Sequence, residues 1–401
     1  MLILPAMNKR SKLSDTDLCV MCGMCLPHCP TYQLYQTESE SPRGRIAIMQ
    51  AIDQQRIDAD NIALTHIDHC LGCLNCESIC PSQVPYEKLL DEFRDQYSES
   101  ISKPLTSRLV LKKAARTGGL EKLLATVNTP GLKQLIQFSS SLTGLPEHLL
   151  ATSTQSLKNF YPATTIGRGQ VTLFTGCTGR HMDADTLADS ALILNQLGFD
   201  VSIPESQGCC GALHQHNGHL ETARSLRDLN QTELKDPDSQ AILFFSPACG
   251  SSLLKDSHLP LHDARSFINS QLEQNPLKFS SSINNAGRQI LLHESCSHRN
   301  MLKQKTLNKD LLRHIPGIKI RESRLPNLCC GAGGLQTTNY PQQAKSLLEL
   351  KLQSFDLSQA SILLSDNIGC SQHMKSAISA YNSNIEVIHP ISLLVRQLEL
   401  N

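Results

Sequence analysis

The first part of the chain carries one cysteine spacing twice. Within 401 residues, the pattern Cys-x-x-Cys-x-x-Cys-x-x-x-Cys-Pro occurs at residues 19–30 and again at residues 70–81. Its eight cysteines are Cys19, Cys22, Cys25, Cys29, Cys70, Cys73, Cys76 and Cys80. The proline that follows each run fixes φ and removes a hydrogen-bond donor, so it turns the chain away from the last cysteine. Three thiols within seven residues, twice over, constrain this region more than any hydrophobic pattern does.

This spacing is that of the bacterial ferredoxin motif. In that motif three closely spaced thiolates bind one [4Fe-4S] cluster, and the fourth, more distant thiolate binds the other cluster. We therefore predict two clusters with exchanged ligands. The first would be bound by Cys19, Cys22, Cys25 and Cys80, and the second by Cys70, Cys73, Cys76 and Cys29. The prediction indicates a protein that transfers electrons.

Disulfides and zinc are the two alternatives for these eight cysteines. Disulfide frameworks occur mainly in small secreted proteins, and nothing at the start of this sequence is typical of a secretory signal. Zinc sites usually have pairs of Cys-x-x-Cys with a longer gap between the pairs. Both alternatives fit the spacing less well than iron-sulfur clusters do.

The second half of the chain contains an internal repeat. Cys177 recurs as Cys296, the triplet that begins at Cys209 recurs at Cys329, and Cys249 recurs as Cys370, with offsets of 119, 120 and 121 residues. The segments before these cysteines are short and rich in β-branched and aliphatic residues, and residues 185–197, 220–229 and 342–352 have helical periodicity. Strands that alternate with helices predict parallel α/β layers, with the cysteines at the carboxyl ends of strands.

Each repeat therefore brings four thiols to one place. The predicted third site contains Cys177, Cys209, Cys210 and Cys249, and the predicted fourth site contains Cys296, Cys329, Cys330 and Cys370. Adjacent cysteines present two thiolates to a metal or a cluster. A zinc site, a redox disulfide and buried apolar thiols remain alternatives here.

Composition limits the other functions. Lys+Arg and Asp+Glu are both 37, so the net charge of zero indicates neither nucleic-acid binding nor an acidic substrate. No apolar segment approaches the roughly 18–20 residues of a membrane helix. The sequence has no dinucleotide-binding or P-loop motif. We expect a cytoplasmic protein, since a reducing compartment tolerates 16 cysteines.

The order of the motifs resembles the iron-sulfur subunits of glycolate oxidase, within the broader heterodisulfide-reductase-like family. The resemblance rests on C-V-M-C-G-M-C-L-P-H-C-P-T-Y, S-P-R-G-R-I, C-L-G-C-L-N-C-E-S-I-C-P-S, G-C-T-G-R, C-C-G-A-L-H, C-C-G-A-G-G and N-I-G-C. In this family the Cys-Cys-Gly domain can carry a non-cubane cluster bound by five cysteines. Here Ser252 and His373 stand at the last position of that motif, so each site has four thiolates.

The resemblance implies an electron-transfer subunit that is not catalytic alone. It would accept electrons from an FAD-containing subunit that oxidises glycolate and pass them towards a membrane quinone, with peripheral attachment to the inner membrane. The alternatives are the corresponding subunits of anaerobic glycerol-3-phosphate dehydrogenase or D-lactate dehydrogenase. A further alternative is an enzyme that reduces a disulfide or quinone at its own Cys-Cys-Gly site.

The predicted architecture is a multidomain α+β and α/β protein. It comprises an α-helical ferredoxin-like domain (1–100), a helical linker (101–168) and two tandem α/β Cys-Cys-Gly repeats (169–280 and 281–401). The linker carries basic residues among leucines, which predicts amphipathic helices broken at Gly118-Gly119 and Pro130-Gly131.

Two further sets of residues are functional candidates. Arg43 and Arg45 flank Gly44 in a predicted turn that could bind a carboxylate or an acidic face of a partner, with an exposed loop as the alternative. Histidines close to the predicted third and fourth sites could bind metal or tune it, although surface histidine is the simpler interpretation. These are His181, His214, His216, His219, His293 and His298.

Overall fold

A computed structural model describes residues 13–129, 155–281, 289–381 and 384–399. The predicted break at Pro130-Gly131 lies outside the described residues, as does the later part of the predicted linker up to residue 154.

The amino-terminal domain is helical. Its α-helices are Pro30–Tyr35, Pro42–Asp53, Asn61–Asp68, Asn75–Ser78 and Tyr86–Tyr97. Short 3₁₀ helices at Ser14–Leu18 and Leu26–His28 precede the first of them, and a third at Glu38–Glu40 lies between the first two. The longer helices bury one apolar face each, and Met49, Ile67, Leu89 and Phe93 form the centre of a shared core. Seven of the eight cysteines lie outside these helices, and Cys76 lies in the single-turn helix Asn75–Ser78.

The predicted turn at Arg43 and Arg45 is wrong. Ser41 is the N-cap of the helix Pro42–Asp53, and its Oγ accepts a hydrogen bond from Gly44 N at 2.9 Å. Proline is favoured at the first helical position, because its missing N–H has no helical partner there. The segment S-P-R-G therefore begins a helix. Arg45 points into the protein, where its side chain is fully buried.

Two linker helices follow, Leu105–Ala114 and Gly119–Val127. The break between them is at Gly118, which has a φ of +65°, as the sequence predicts. Their apolar faces pack on the first Cys-Cys-Gly repeat through Val110, Leu111, Leu120 and Leu124. This packing accounts for the burial of these four side chains.

The first repeat is a mixed sheet covered by helices. Its strands are β1 (Phe160–Tyr161), β2 (Gly169–Phe174), β3 (Phe199–Ser202), β4 (Ser239–Phe244) and β5 (Leu261–Asp263), in the order β1-β3-β2-β4-β5. All neighbours are parallel except β1 and β3. The helices are Gly179–Met182, Ala184–Gln196, Ala212–His216, Leu220–Glu233, Pro247–Leu253 and Ala264–Gln274.

The second repeat has the same arrangement without the antiparallel edge strand. Its strands are β6 (Gln289–His293), β7 (Ile320–Glu322), β8 (Ala360–Ser365) and β9 (Glu386–Ile388), all parallel and in the order β7-β6-β8-β9. Its helices are the π-helical Ser297–Met301 and the α-helices Leu307–Leu312, Gln336–Asn339, Pro341–Gln353, Ile368–Tyr381 and Pro390–Arg396. The α/β prediction for the repeats is confirmed.

The two sheets share one hydrophobic core. Side chains alternate between the faces of a strand, so a strand buried on both faces is apolar throughout. In β4, Leu243 joins the core between the sheets, whereas Ile242 and Phe244 join the core beneath the linker helices. Leu292 of β6 belongs to the same inter-sheet core as Leu243. The repeats are therefore packed as one unit.

A buried network of charges also joins the repeats. Arg265 of the first repeat donates to Asp263 Oδ2 at 2.6 Å and to Asp366 Oδ2 of the second repeat at 2.7 Å. His298 Nδ1 lies 2.7 Å from the same Asp366 oxygen, and Asn308 accepts from Arg265 at 2.8 Å. Arg265 and both aspartates have no exposed side-chain surface. The free-energy cost of burying each charge is thus offset by its contacts with the other members of the network.

Among the described residues, none of the helices is both long enough and apolar enough to span a membrane.

Candidate metal centres

The eight cysteines of the amino-terminal domain surround two small cavities. Cys19, Cys22, Cys25 and Cys80 line the first cavity, which has a volume of about 40 Å³. Cys29, Cys70 and Cys73 line the second, of about 20 Å³. Cys76 lines both cavities. The fourth cysteine of each run therefore faces the first three of the other run, and the two cavities are direct neighbours.

The thiols of the second cavity are the more buried. Cys29, Cys70 and Cys73 are buried, whereas Cys22 is exposed. Burial, followed by the charge of Cys296, raises the pKa of Cys73 well above its ordinary value, and burial likewise raises the pKa of Cys76. Thiolates at these positions therefore require a bound cation, because metals displace the thiol protons. Four convergent thiols around one enclosed volume fit an iron-sulfur cluster.

The four thiols of the first repeat also form a contiguous group. Cys209 contacts both Cys177 and Cys210, and Cys210 contacts Cys249. Gly211 N donates to Cys209 Sγ at 3.5 Å. These contacts, led by that with Cys177, lower the pKa of Cys209 well below its ordinary value. Cys177 and Cys249 follow β2 and β4, so the predicted position at the carboxyl ends of strands is confirmed.

The second repeat reproduces this geometry. Cys329 contacts Cys296 and Cys330, and Cys330 contacts Cys370. Gly331 N donates to Cys329 Sγ at 3.4 Å. The contact with Cys329 lowers the pKa of Cys330, but the contact with Cys370 and burial outweigh it and raise that pKa well above its ordinary value. The structure therefore brings together each of the two predicted groups of four.

Glycine is required in both Cys-Cys-Gly turns. Gly211 and Gly331 have φ values of +86° and +88°, in the left-handed region that glycine adopts without strain. A Cβ atom would also lie 2.6 Å from Ala223 O in the first repeat and 2.5 Å from Ala344 O in the second. The matching contacts make the two turns structural equivalents.

The two sites differ in the groups around them. Lys351 is buried in the second repeat, where it donates to Leu325 O at 3.1 Å. Burial, together with the charge of Arg299, lowers its pKa to about 8, against the opposing effect of the nearby thiols. If Ala223 is aligned with Ala344, Asn230 is the counterpart of Lys351. The fourth site, in the second repeat, thus has a buried cation where the third site, in the first repeat, has an amide.

One chamber connects the two sites. Its volume is about 250 Å³, and all eight cysteines of the repeats line it. Leu120, Leu123, Leu124 and Val127 of the second linker helix form an apolar part of its wall. The sequence does not predict this chamber, since each repeat by itself indicates only its own four thiols.

The second repeat also contacts the amino-terminal domain beside this chamber. Leu71 and Cys73 pack against Cys329, with Cys296 at the edge of the same cluster. Asn300 Nδ2 donates to Cys73 O at 2.7 Å. A Cβ on Gly333 would lie 2.5 Å from Leu71 O, so a side chain would separate the two loops. The thiols of the fourth site therefore lie next to those of the second cavity.

The candidate histidines have different roles. His293 forms a group with Cys330 and Cys370 in which the ligand atoms lie within 4.8 Å of one another. Burial lowers its pKa to about 3, so it is neutral and able to accept a metal. His214 contacts Cys209, and His298 belongs to the Asp366 network.

The other candidate histidines lie around the chamber and the third site. His216 lines the chamber, where burial lowers its pKa to about 4. The ring of His219 packs edge-on against His214, with centroids 6.5 Å apart. His181 lies in the short helix Gly179–Met182. At the two positions of the absent fifth cysteine, Ser252 Oγ donates to Cys210 O at 2.7 Å, and His373 is buried.

Comparison with protein families agrees with this arrangement. The 4Fe-4S dicluster domain matches residues 15–84, and the cysteine-rich domain matches residues 171–254 and 290–375. The chain therefore belongs to the iron-sulfur proteins that combine a 4Fe-4S dicluster domain with two cysteine-rich domains.

Within that class, the chain is similar to glycolate oxidase iron-sulfur subunits. It is 28% identical to "Glycolate oxidase iron-sulfur subunit" of Escherichia coli, over 98% of this chain and 97% of that protein. It is also 28% identical to "Probable glycolate oxidase iron-sulfur subunit" of Bacillus subtilis, over 96% and 95%. Electron transfer is the role that these relationships support.

One more distant relative and one solved structure are also similar to this chain. A subunit of the dihydromethanophenazine:CoB–CoM heterodisulfide reductase of Methanosarcina acetivorans is 20% identical, over 97% of this chain and 96% of that protein. The crystal structure of a hypothetical protein from Helicobacter pylori has a TM-score of 0.55 and 12% identity, over 93% of this chain and 71% of that one. That structure shares the fold.

Proposed function

We propose that this chain is the electron-transfer subunit of a flavin-dependent 2-hydroxy-acid dehydrogenase, with glycolate as the substrate of its flavin partner. The observation that carries the proposal is the unbroken series of thiol-lined cavities. Cys76 lines both cavities of the amino-terminal domain, and Cys73 packs against Cys329 of the second repeat. Full-length similarity to two glycolate oxidase iron-sulfur subunits supports the choice of complex.

The ligands that we assign follow the cavities. Cys19, Cys22, Cys25 and Cys80 would bind one [4Fe-4S] cluster, and Cys29, Cys70, Cys73 and Cys76 the other. The cysteines of the repeats would hold the third and fourth metal sites. Such clusters supply one-electron storage. The protein contributes the burial, the backbone N–H groups of Gly211 and Gly331, and the hydroxyl of Tyr86, which donates to Cys70 Sγ at 3.6 Å.

The proposal requires a partner with FAD. Oxidation of a 2-hydroxy acid removes two electrons, and this chemistry belongs to an organic cofactor that can divide the pair between one-electron carriers. A quinone at the membrane is the acceptor that we propose, which would place the complex in the cytoplasm, on the inner membrane. In the proposed division, residues 1–100 bind the two [4Fe-4S] clusters and residues 169–280 and 281–401 hold the third and fourth metal sites. Residues 101–168 are the linker between them.

Co-purification tests this function. The full chain, expressed with its native partners and purified anaerobically, should co-purify with a flavoprotein. That complex should reduce a soluble quinone analogue with glycolate and should do so at least tenfold more slowly with D-lactate or glycerol 3-phosphate. A faster rate with either of those substrates would assign the chain to the corresponding dehydrogenase.

The chamber between the repeats favours a second candidate function. It brings eight thiols together behind an apolar wall, which suits reduction of a disulfide or a quinone within this chain. Reduction of a disulfide or a quinone by the isolated chain, after it has been reduced with dithionite and freed of excess dithionite, would support this function.

Metal content tests the sites of the repeats. The ferredoxin motifs alone account for about eight iron atoms per chain, so the wild type should contain more than that. Cys209→Ser and Cys329→Ser should each lower the count, because each removes a thiol that contacts two others. Ser252→Ala is the matched control, because it alters the third site without removing a thiol. It should leave the iron content unchanged. About eight iron atoms in all four proteins, together with zinc, would limit electron transfer to the amino-terminal domain.

A further inference from the structure

Arg45 is fully buried beside the thiols of the second cavity. It lines that cavity together with Cys29 and Cys70. Its Nη1 lies 3.9 Å from Cys29 Sγ and donates to Thr31 Oγ1 at 2.9 Å. The Thr31 hydroxyl is itself 3.3 Å from Cys29 Sγ. The guanidinium is therefore held directly against a predicted cluster ligand.

The charge of this guanidinium is permanent. Burial opposes it, but electrostatic interactions with the neighbouring acidic groups, Cys70 first among them, outweigh burial and raise the pKa of Arg45 above its ordinary value. Arginine is protonated at every pH at which proteins fold. A fixed positive charge thus lies within a region of low dielectric, where its interactions are strong.

The counterion lies at the other end of the guanidinium. Arg45 Nη2 donates to Glu40 Oε2 at 2.6 Å, while the second carboxylate oxygen lies 2.7 Å from both His66 Nδ1 and His69 Nδ1. Burial would raise the pKa of Glu40, but His69 and Arg45 lower it below its ordinary value. The guanidinium therefore has one terminal nitrogen, Nη1, beside Cys29 Sγ and the other, Nη2, on the Glu40 carboxylate.

We propose that Arg45 is a tuning residue that raises the reduction potential of the cluster bound by Cys29, Cys70, Cys73 and Cys76. Uptake of one electron adds one negative charge to the cluster and its ligands, with no proton transfer to Arg45. A buried cation stabilises the more negative, reduced state more than the oxidised state. Hydrogen bonds and charges around the ligand sulfurs are known to set such potentials. This inference rests on the proposed ligand assignment.

Two substitutions should shift the potential in opposite directions. Arg45→Gln removes the cation while retaining a side chain that can donate to Thr31, and should make the midpoint potential of one cluster more negative. Glu40→Gln removes the counterion, leaves the cation, and should make that potential more positive. The measurement is a dithionite titration of the anaerobically purified full chain, followed by electron paramagnetic resonance.

Arg396→Gln is the control for the loss of one positive charge. Arg396 pairs with Glu386 on the surface of the second repeat, with side chains 45% and 53% exposed, and its loss should leave both potentials unchanged. If Arg45→Gln fails to bind iron, Glu40→Gln decides the question by the sign of its shift. Unchanged potentials in the iron-loaded variants of Arg45 and Glu40, or shifts of the same sign, would overturn the proposal. The titration uses no flavoprotein or substrate, so its failure would leave the proposed function standing.

Discussion

Loss of Cys22 and Cys80 together should remove only one cluster, or about four iron atoms per chain. Both residues line the first cavity, so Cys22→Ala and Cys80→Ala would damage the same predicted centre. The pair Cys22→Ala and Cys29→Ala should instead remove about eight iron atoms, because Cys29 lines the second cavity. Iron analysis and spin counting after reduction measure both outcomes.

The two double variants control for each other. Each removes two thiols from the same domain, and both contain Cys22→Ala. If each cysteine run bound its own cluster, the results would be reversed, and Cys22→Ala with Cys29→Ala would be the milder variant. That reversal would overturn the crossed ligand assignment while leaving the number of clusters intact.

Replacement of Asp366 by asparagine should destabilise the joined repeats by about 3–5 kcal/mol, the usual effect of breaking a buried ion pair. The substitution leaves Arg265 buried with one aspartate in place of two, and it weakens the contact with His298. Denaturant unfolding of the full chain, followed by circular dichroism, measures the difference. Glu386→Gln breaks an exposed pair in the same repeat and should have an effect below about 1 kcal/mol.

The effect of Asp366 should depend on pH in a defined direction. Burial would raise its pKa, but Arg265 and His298 lower the pKa well below the ordinary value. A carboxylate with a lowered pKa in the folded state stabilises the protein above its unfolded pKa, which is about 4. This stabilisation is lost as the pH falls through the folded pKa. The difference between wild type and Asp366→Asn should therefore be constant near pH 7 and should shrink below about pH 4. If the difference in the free energy of unfolding between wild type and Asp366→Asn grew as the pH fell, the lowered pKa of Asp366 would be wrong.

The sequence predicts the parts of this protein that depend on local spacing. The offsets of 119 to 121 residues identify the repeats, and the short apolar segments before the cysteines, such as the one that includes Ile242 and Phe244, predict strands. The cysteines that follow β2, β4, β6 and β8 are predicted by the same pattern. Each strand and the position of the cysteine after it are determined by a few neighbouring residues, so tertiary packing does not override them.

Long-range contacts account for most of the features that sequence reasoning misses. Proline and glycine beside arginine predict a turn at Arg45, although Ser41 as a helix cap is the local signal that corrects this prediction. The contact between Cys73 and Cys329 joins residues in different domains, and nothing near either residue indicates the other. The chamber likewise requires both repeats to face each other, which the repeat pattern alone does not specify.

The contacts of the loop at residues 71–73 and of the helix before it have a consequence for biosynthesis. Asn300 binds Cys73 O across 227 residues, and Gln336 binds Asp68 O across 268 residues. The region around residues 68–73 thus completes its packing only after residues 300 and 336 have been translated. Contacts of such large sequence separation form late, since the chain entropy of closing the intervening loop opposes them. Nascent chains would present Cys70 and Cys73 to solvent during that interval, which is when iron delivery or protection from oxygen would have to occur.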